Sequence, residues 1–515
     1  MRHYRFLCVG CIWLLCTILS AGNTPFLYKY HTAFAPHVYS NSRRSLLQEN
    51  DSYYAYRVPQ TPWFKPGLSH PFQSIDTLAT SLVHVLDFSP PIAAICAYTN
   101  TTDNVDFAGE INFLAGYDHA VFEDDSYGFW YKGMRLGATI NEDFGINTTW
   151  WNGVFLGDPD AIIADSPLID GWVNKVNDKV RLDNLSADLF YHRPSYTFAL
   201  GRGRFQVGNS ISGSIILNDR VNDYGYFIAE GRFGNLQLSM LQGQLMATEP
   251  LPLYDDEAYP ELNKKNYPEK YIALHRVAYT IDQRLELSFG ETVVYGNRAP
   301  DPNYLLPQGF WRVAEHNLRD RDNVMIFGGV EYRTRQRGFT CYTNALIDEM
   351  RYGEIFGNWW GNKYALQTGM QFATGGTTAC LEFTAVRPWT YTHYLPYGNY
   401  THDGRPLGHP QGSNLLNYSL ELSQKLHHGI SFVSNTSYLR QGATGNSPDL
   451  NYIELIEDID HTTADWLQGG ITNTWEQNTS LQIDLFAYHR LRISHRASHI
   501  DSWKHSIQLG WQFIY

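Results

Sequence analysis

The chain has 515 residues and a formal net charge of −13, with 18% charged residues, 15% aromatic residues and 42 glycines. A chain this rich in apolar and aromatic side chains is not disordered, and its acidic balance disfavours a nucleic-acid partner, which needs a basic surface. Beyond the N-terminus no run approaches the roughly 20 apolar residues of a spanning helix, so a helical membrane protein is excluded too.

Arg2 and Arg5 form a basic start, Phe6 to Leu19 an apolar run, and Ser20, Ala21 and Gly22 a small-residue end. This reads as a secretory signal over residues 1–22, removed in the mature protein. A lipid anchor at Cys11 is disfavoured because little apolar sequence precedes it. Removing the signal takes two positive charges and moves the net charge from −13 to −15. It also takes Cys8, Cys11 and Cys16 and leaves Cys96, Cys341 and Cys380. That odd, sparse set has no metal-ligand spacing and room for one bridge at most.

Residues 23–103 stand apart. Ile75, Leu78, Ala79, Leu82, Val83 and Leu86 keep helical spacing behind a Ser74 N-cap, and Ser89-Pro90-Pro91 stops the run. This segment is expected to plug a lumen or to cap a periplasmic rim.

From about residue 104 the apolar period becomes two, the period of a strand. Val324, Ile326, Gly328, Val330 and Tyr332 share a face, as do Phe339, Cys341, Thr343, Ala345 and Ile347. Tyr364, Leu366, Thr368, Met370 and Phe372 repeat the pattern, and so do Leu481, Ile483 and Leu485. At the C-terminus Ile507, Leu509, Trp511, Phe513 and Tyr515 alternate with small or polar residues, apart from Ile514. As a free edge of a soluble sandwich such a strand would invite aggregation, whereas a transmembrane β-barrel puts its apolar face in lipid. A final strand ending in an aromatic also resembles the outer-membrane assembly signal, which makes the assembly machinery and outer-membrane lipid expected partners.

With the C-terminus in the periplasm, each connection acquires a side. Periplasmic turns are expected near 193–195, 232–235, 281–284, 335–338, 374–377, 427–429 and 476–479. Longer outer loops are expected near 157–183, 205–221, 247–268, 296–321, 351–362, 393–414 and 441–465. Short turns inside and long loops outside are the asymmetry of outer-membrane barrels. The fold class is all-β: an antiparallel barrel of about eighteen strands over residues 104–515, in the bacterial outer membrane.

The segment Phe198 to Asp219 resembles the Gly-Arg…Gly…Gly-Ser-Leu-Leu-Leu segment of the Wzi capsule-assembly family. Gly290-Glu291, Tyr295-Gly296 and Tyr304-Leu305-Leu306-Pro307 resemble that family's next strand and loop, and Asp322-Asn323 and Leu346 to Glu349 its mid-barrel strands. Tyr391-Thr392-His393, Gly404 to His409 and Gly412 resemble a late outer loop. The pieces keep the family's order over roughly 195–415. Gln206-Val207-Gly208 departs from an expected Trp-Gly-x-Gly pattern, and residues before 100 give no match. The resemblance implies a non-catalytic outer-membrane lectin that binds capsular or other surface polysaccharide and helps to attach it.

Sugars are held by aromatic faces and by planar polar groups. The candidate ligand residues are Trp359, Trp360, Tyr391, His393, Tyr397, Tyr400, His402, Arg405 and His409, with Trp311, Arg312 and Tyr394 nearby. Interfacial girdles need aromatics as well, so a structural role competes at each position. Arg202, Glu291, Asp348 and Glu349 lie on or near strands, where charge is expected to face the lumen or to join a structural network. A porin or sugar-uptake channel is the alternative function. A barrel enzyme using His393, His402 or His409 with Asp403 is a weaker one. No nucleophile motif, cofactor motif or metal spacing stands out.

Overall fold

The computed structural model describes residues 96–514, apart from 103–104, 122–125, 142–143, 159–171, 177–178, 194, 250–266, 283, 335–337, 355–356, 375, 428–429 and 486–488. The expected signal, the helix after Ser74 and Tyr515 lie outside the described residues. The strands are β1 (Cys96–Thr102), β2 (Val105–Val121), β3 (Ser126–Ile140), β4 (Phe144–Leu156), β5 (Trp172–Val176), β6 (Lys179–Arg193), β7 (Tyr196–Gly203) and β8 (Tyr224–Phe233). Then come β9 (Leu236–Leu245), β10 (Lys270–Ile281), β11 (Leu285–Gly296), β12 (Asn323–Arg333), β13 (Phe339–Glu349), β14 (Lys363–Thr374) and β15 (Thr377–Val386). Two short outer strands follow, β16 (Thr401–His402) and β17 (Arg405–Pro406), before β18 (Leu415–His427), β19 (Ile430–Gly442), β20 (Ile471–Leu485), β21 (His489–His499) and β22 (Trp503–Ile514). Helix α1 spans Trp311–Asn317 and α2 Tyr452–Leu455.

Eighteen antiparallel strands close into a barrel where β2 pairs with β22, Leu114 facing Ile514 and Val121 facing Ile507. Closure leaves no free sheet edge, which a bilayer core would not tolerate. β1 lies on the same edge of β2, opposite residues 105–111, and so prolongs the line of β22 beyond the C-terminus. β5 pairs with the outer end of β6 as a small hairpin above β7.

Alternation sorts the residues. In β14, Leu366, Met370 and Phe372 are 41%, 50% and 52% exposed, while Gln367, Gln371 and Ala373 between them are buried. In β18, Tyr418 and Leu422 face out and Asn417, Ser419, Glu421 and Ser423 face in. An apolar outside and a polar inside are what lipid and lumen select. The eight connections at one end of the barrel are short: 141–143, 194–195, 234–235, 282–284, 334–338, 375–376, 428–429 and 486–488. The turn expected near 476–479 is displaced, because those residues run through the middle of β20. Their polar composition, Glu476-Gln477-Asn478-Thr479, looks like a turn but belongs to a long strand. Cys341 shares the outward face with Phe339, Cys380 faces in, and β14 runs between them, so the two form no disulfide.

If this outward face meets lipid, Met370→Arg should cost about 2–4 kcal/mol at mid-bilayer depth. Equilibrium unfolding in vesicles would measure it, and a cost near zero would place β14 outside the hydrocarbon.

Candidate functional site

Part of the chain folds into the lumen from the outer end, on the side of the wall formed by β10 to β15. The connection 204–223 between β7 and β8 dips inward, and Ile215, Ile216 and Leu217 are fully buried against Leu274, Val294 and Met325 of the wall. A loop leaving its water must find partners for its polar groups. Glu382 on β15 supplies many of them. Its carboxylate accepts from the Ile211 N–H at 3.0 Å, the Ser212 N–H at 2.9 Å, the Ser210 hydroxyl at 3.2 Å, the Ser212 hydroxyl and the Tyr342 hydroxyl. Gln367 on β14 donates to the Gly213 carbonyl, and Asn344 on β13 to the Asn209 carbonyl. Asn209 itself donates to Glu331 on β12. Gly213 has φ +113°, and a Cβ there would sit 2.3 Å from Pro410, so only glycine fits the contact. Beneath the loop a cavity of about 30 Å³ remains beside Arg276, Glu286, Glu331 and Asn344. That is room for about two waters.

A second connection, 387–414, lies over the first as a cap. Tyr391 and Tyr400 are stacked with centroids 5.8 Å apart, and both are fully buried. Their hydroxyls donate to the Ile215 and Ile216 carbonyls of the inward loop. Asp348, on the lumen face of β13, accepts from the Tyr391 N–H at 2.7 Å. Asn218 donates to the Pro406 carbonyl at 2.8 Å and to the Gly408 carbonyl. Three histidines brace the cap. The Nδ1 atoms of His393, His402 and His409 accept backbone N–H groups of Leu395, Met246 and Gln411. Burial pushes His393 and His402 down to about 4 and His409 to about 3. Asp403 is taken by Asn222 at 2.6 Å, so the residues of the enzymatic alternative are spread through the cap rather than joined into a relay.

Trp359 and Trp360 tie the connection 350–362 to 443–470. Both indoles donate to the Ile459 carbonyl, at 2.9 and 2.7 Å, and Trp359 bridges to Thr463. Trp360 is buried against Trp389, with the Lys363 ammonium 5.1 Å from its ring centre. One face of Trp359 is taken by the Arg351 guanidinium at 4.1 Å. Of the candidate ligand residues, Trp360, Tyr391, His393, Tyr400, His402 and His409 are thus buried, and Trp359, Tyr397 and Arg405 are half-buried. Exposed aromatics of the outer connections include Tyr352, at 89%, and Trp466, at 38%. Sequence reasoning passed over both, since nothing local distinguishes an exposed ring from a buried one in a long loop. Trp466 stands edge-on to Tyr364, with the Arg387 guanidinium within 6 Å of both ring centres.

Two polar positions expected to face the lumen or to join a structural network lie on the outward face. Arg202 shares the outward face of β7 with Phe198 and Leu200, at the strand's outer end, where water rather than lipid is within reach. Glu291 faces outward too, on the face of β11 that carries Leu287 and Phe289. It is sheltered there because the connection 297–322 folds back over the outside of the wall as a flap. Glu291 accepts from the Trp311 and Arg312 N–H groups at 2.8 and 3.2 Å, capping α1, and contacts His275 Nε2 at 3.1 Å. Glu349 pairs with Lys363 at 3.1 Å. Among the described residues one grouping has ligand atoms close enough to share a cation: Glu315, His316 and Asp320, on the flap. Burial pushes the Glu315 carboxyl up to about 8, despite Arg312 beside it, which makes it a poor ligand at neutral pH.

No family model and no curated protein matches the chain. Solved structures do. Wzi of Escherichia coli, described as an outer-membrane, carbohydrate-binding β-barrel involved in group 1 capsule assembly, superimposes with a TM-score of 0.50 at 10% identity, over 78% of this chain and 84% of that one. OccK5 (OpdH) of Pseudomonas aeruginosa gives 0.44 at 10% identity, over 79% and 97% of the two chains. OccAB4 of Acinetobacter baumannii gives 0.45 at 9% identity, over 81% and 99%. The protein is a bacterial outer-membrane β-barrel. At these identities the likeness speaks for the fold alone.

Glu382→Ala would strand the buried donors of Ser210, Ile211, Ser212 and Tyr342, at about 1–3 kcal/mol for each unpaired group. Hydrogen-exchange protection over 207–217 should then collapse while the wall strands stay protected; unchanged protection would mean the loop is held by other contacts. The cap should loosen in acid. The three histidines fall below their ordinary value of about 6.5, so their contribution is intact above that pH and is lost as pH falls toward 4. The unfolded loop then binds protons that the folded loop refuses, at about 1.4 kcal/mol per unit for each ring. Protection factors over 387–414 at pH 7.5 and 5 would show it, and equal values would contradict the burial of these rings.

Proposed function

We propose that this barrel is a non-catalytic binder of capsular or other surface polysaccharide, engaging the polymer with its outer loops and helping to attach it at the cell surface. The observation that carries this reading is the loop anchored inside the lumen. The inward loop and the cap lie across the β10 to β15 side of the bore beneath the outer loops, and the hydrogen bonds at Glu382, Gln367 and Asn344 hold the loop in place. A bore narrowed by so firmly held a loop speaks for a fixed outer surface rather than a wide path. The order of motifs over 195–415 supports the same reading: its pieces fall in the inward loop, the flap, the cap and the strands β7, β11 and β13 beside them. The exposed surface suited to a sugar comprises Tyr352, Trp466 and the half-buried Trp359 and Tyr397, with Arg351 and Arg405 to bind hydroxyl or carboxylate groups.

A conducting channel is the competing reading, and one preparation separates the two. The full chain, folded in detergent, would be tested on a glycan array that includes the host's own surface polymers, with single-channel conductance recorded on the same sample. Saturable glycan binding with little conductance is expected, together with about a tenfold or greater weakening on joint replacement of Tyr352, Trp359 and Trp466 by Ala, since stacking contacts are worth about 0.5–1.5 kcal/mol each. Large, steady conductance without glycan binding would overturn the proposal in favour of a porin.

A further inference from the structure

The flap raises a question that polysaccharide binding does not answer. It covers the outward face of β9 to β12, the side that meets lipid lower down. Gln242 on the outside of β9 donates to the Tyr304 carbonyl at 2.6 Å, and Trp311 stacks on His275 at 4.0 Å. Tyr304 and Trp311 are fully buried against the wall. The other side of the flap is not covered: Leu305, Leu306, Phe310 and Val313 are 44%, 50%, 70% and 59% exposed.

Depth says what meets them. The Trp311 N–H sits on Glu291, five residues below the end of β11 at Gly296. At about 3.3 Å per residue and a tilt near 40°, that is roughly 12 Å below the rim. Phe310 is next in sequence to this anchor. Directly below, on the same outward face, Val277 and Phe289 are exposed at 40% and 48%, where the lipid-facing band begins. The apolar side of the flap therefore continues the apolar outward face of the wall. From α1 the chain climbs to the rim, and Arg319 and Arg321 are exposed on the way. An apolar face with cations above it is the pattern of a segment seated in an anionic interface.

We propose that the flap is an outer-leaflet anchor: Leu305, Leu306, Phe310 and Val313 enter the acyl region of the membrane, and Arg319 and Arg321 meet the phosphates of its headgroups. The anchor bears on the cap as well, because the Tyr394 hydroxyl donates to the Asp320 carbonyl at 3.0 Å and Asn323 donates to the Gly398 carbonyl. This inference stands whether or not the outer loops bind a polysaccharide.

Photo-crosslinking of the full chain, folded into vesicles of phosphatidylglycerol and phosphatidylcholine that carry no glycan, tests it. Phe310→p-benzoylphenylalanine and, separately, Val313→p-benzoylphenylalanine should give lipid adducts, seen as a mass shift. Phe289→p-benzoylphenylalanine on the wall is the positive control and Tyr352→p-benzoylphenylalanine at the outer tip the negative one. The proposal is overturned if positions 310 and 313 behave like 352. It is equally overturned if they crosslink to a second copy of the chain, which would make the flap a subunit interface.

Discussion

Every backbone donor in the wall must find its acceptor within the wall, because the bilayer core offers none. The pairing of β2 with β22 meets that demand, and it creates a second one. Eighteen strands enclose more space than their own side chains fill, so something must occupy or hydrate the bore. This chain occupies part of it with its own loop. Glu382, Gln367, Asn344 and Glu331, on four successive strands, match the loop's backbone and hydroxyl groups one by one. A buried carboxylate is costly alone, but one that accepts from several donors becomes an anchor.

The same reasoning explains the outside. Glu291 and His275 would be expensive facing hydrocarbon, and the flap removes the expense by giving Glu291 the free N–H groups of a helix end. Helix α1 has no side-chain cap of its own at Phe310, so strand and flap each supply what the other lacks. A barrel whose wall carries such groups near the lipid level needs its loop in place to be compatible with the membrane. Flap, wall and cap then form one mechanical unit at the outer end.

The wall was legible in the sequence because alternation is local. Tyr364 to Phe372 or Ile507 to Leu509 can be assigned a face from neighbours two residues away. The one displaced turn shows the limit: Glu476 to Thr479 are polar on both faces, so nothing in that stretch separates a loop from a strand that emerges toward water. The destinations of the loops were not legible. Nothing near Ser210 or Ser212 says that Glu382, some 170 residues later, will receive them. The face that Glu291 takes was not legible for a related reason. The rule that charge faces the lumen assumes a bare outer wall, and a loop that folds back over the wall removes the assumption. Tyr391 and Tyr400 have the composition of a sugar platform, yet their hydroxyls are used by Ile215 and Ile216, which no reading of their own neighbourhood reveals.

Rigidity links these features to the choice between binder and conduit. To clear the β10 to β15 side of the bore, the inward loop would have to leave Glu382, Gln367 and Asn344 together, since each holds a different part of one short segment. It would also have to part from the stacked tyrosines above it. Water entering the bore would repay some of those hydrogen bonds, but not the burial of Ile215, Ile216 and Leu217. The cost of opening is therefore carried by an apolar cluster that water cannot replace. The same cluster holds the cap from below while the wall and the flap hold it from the side. A surface supported on both sides loses little freedom when an extended polymer lies across it, which is the condition under which a few modest stacking contacts add up to useful affinity.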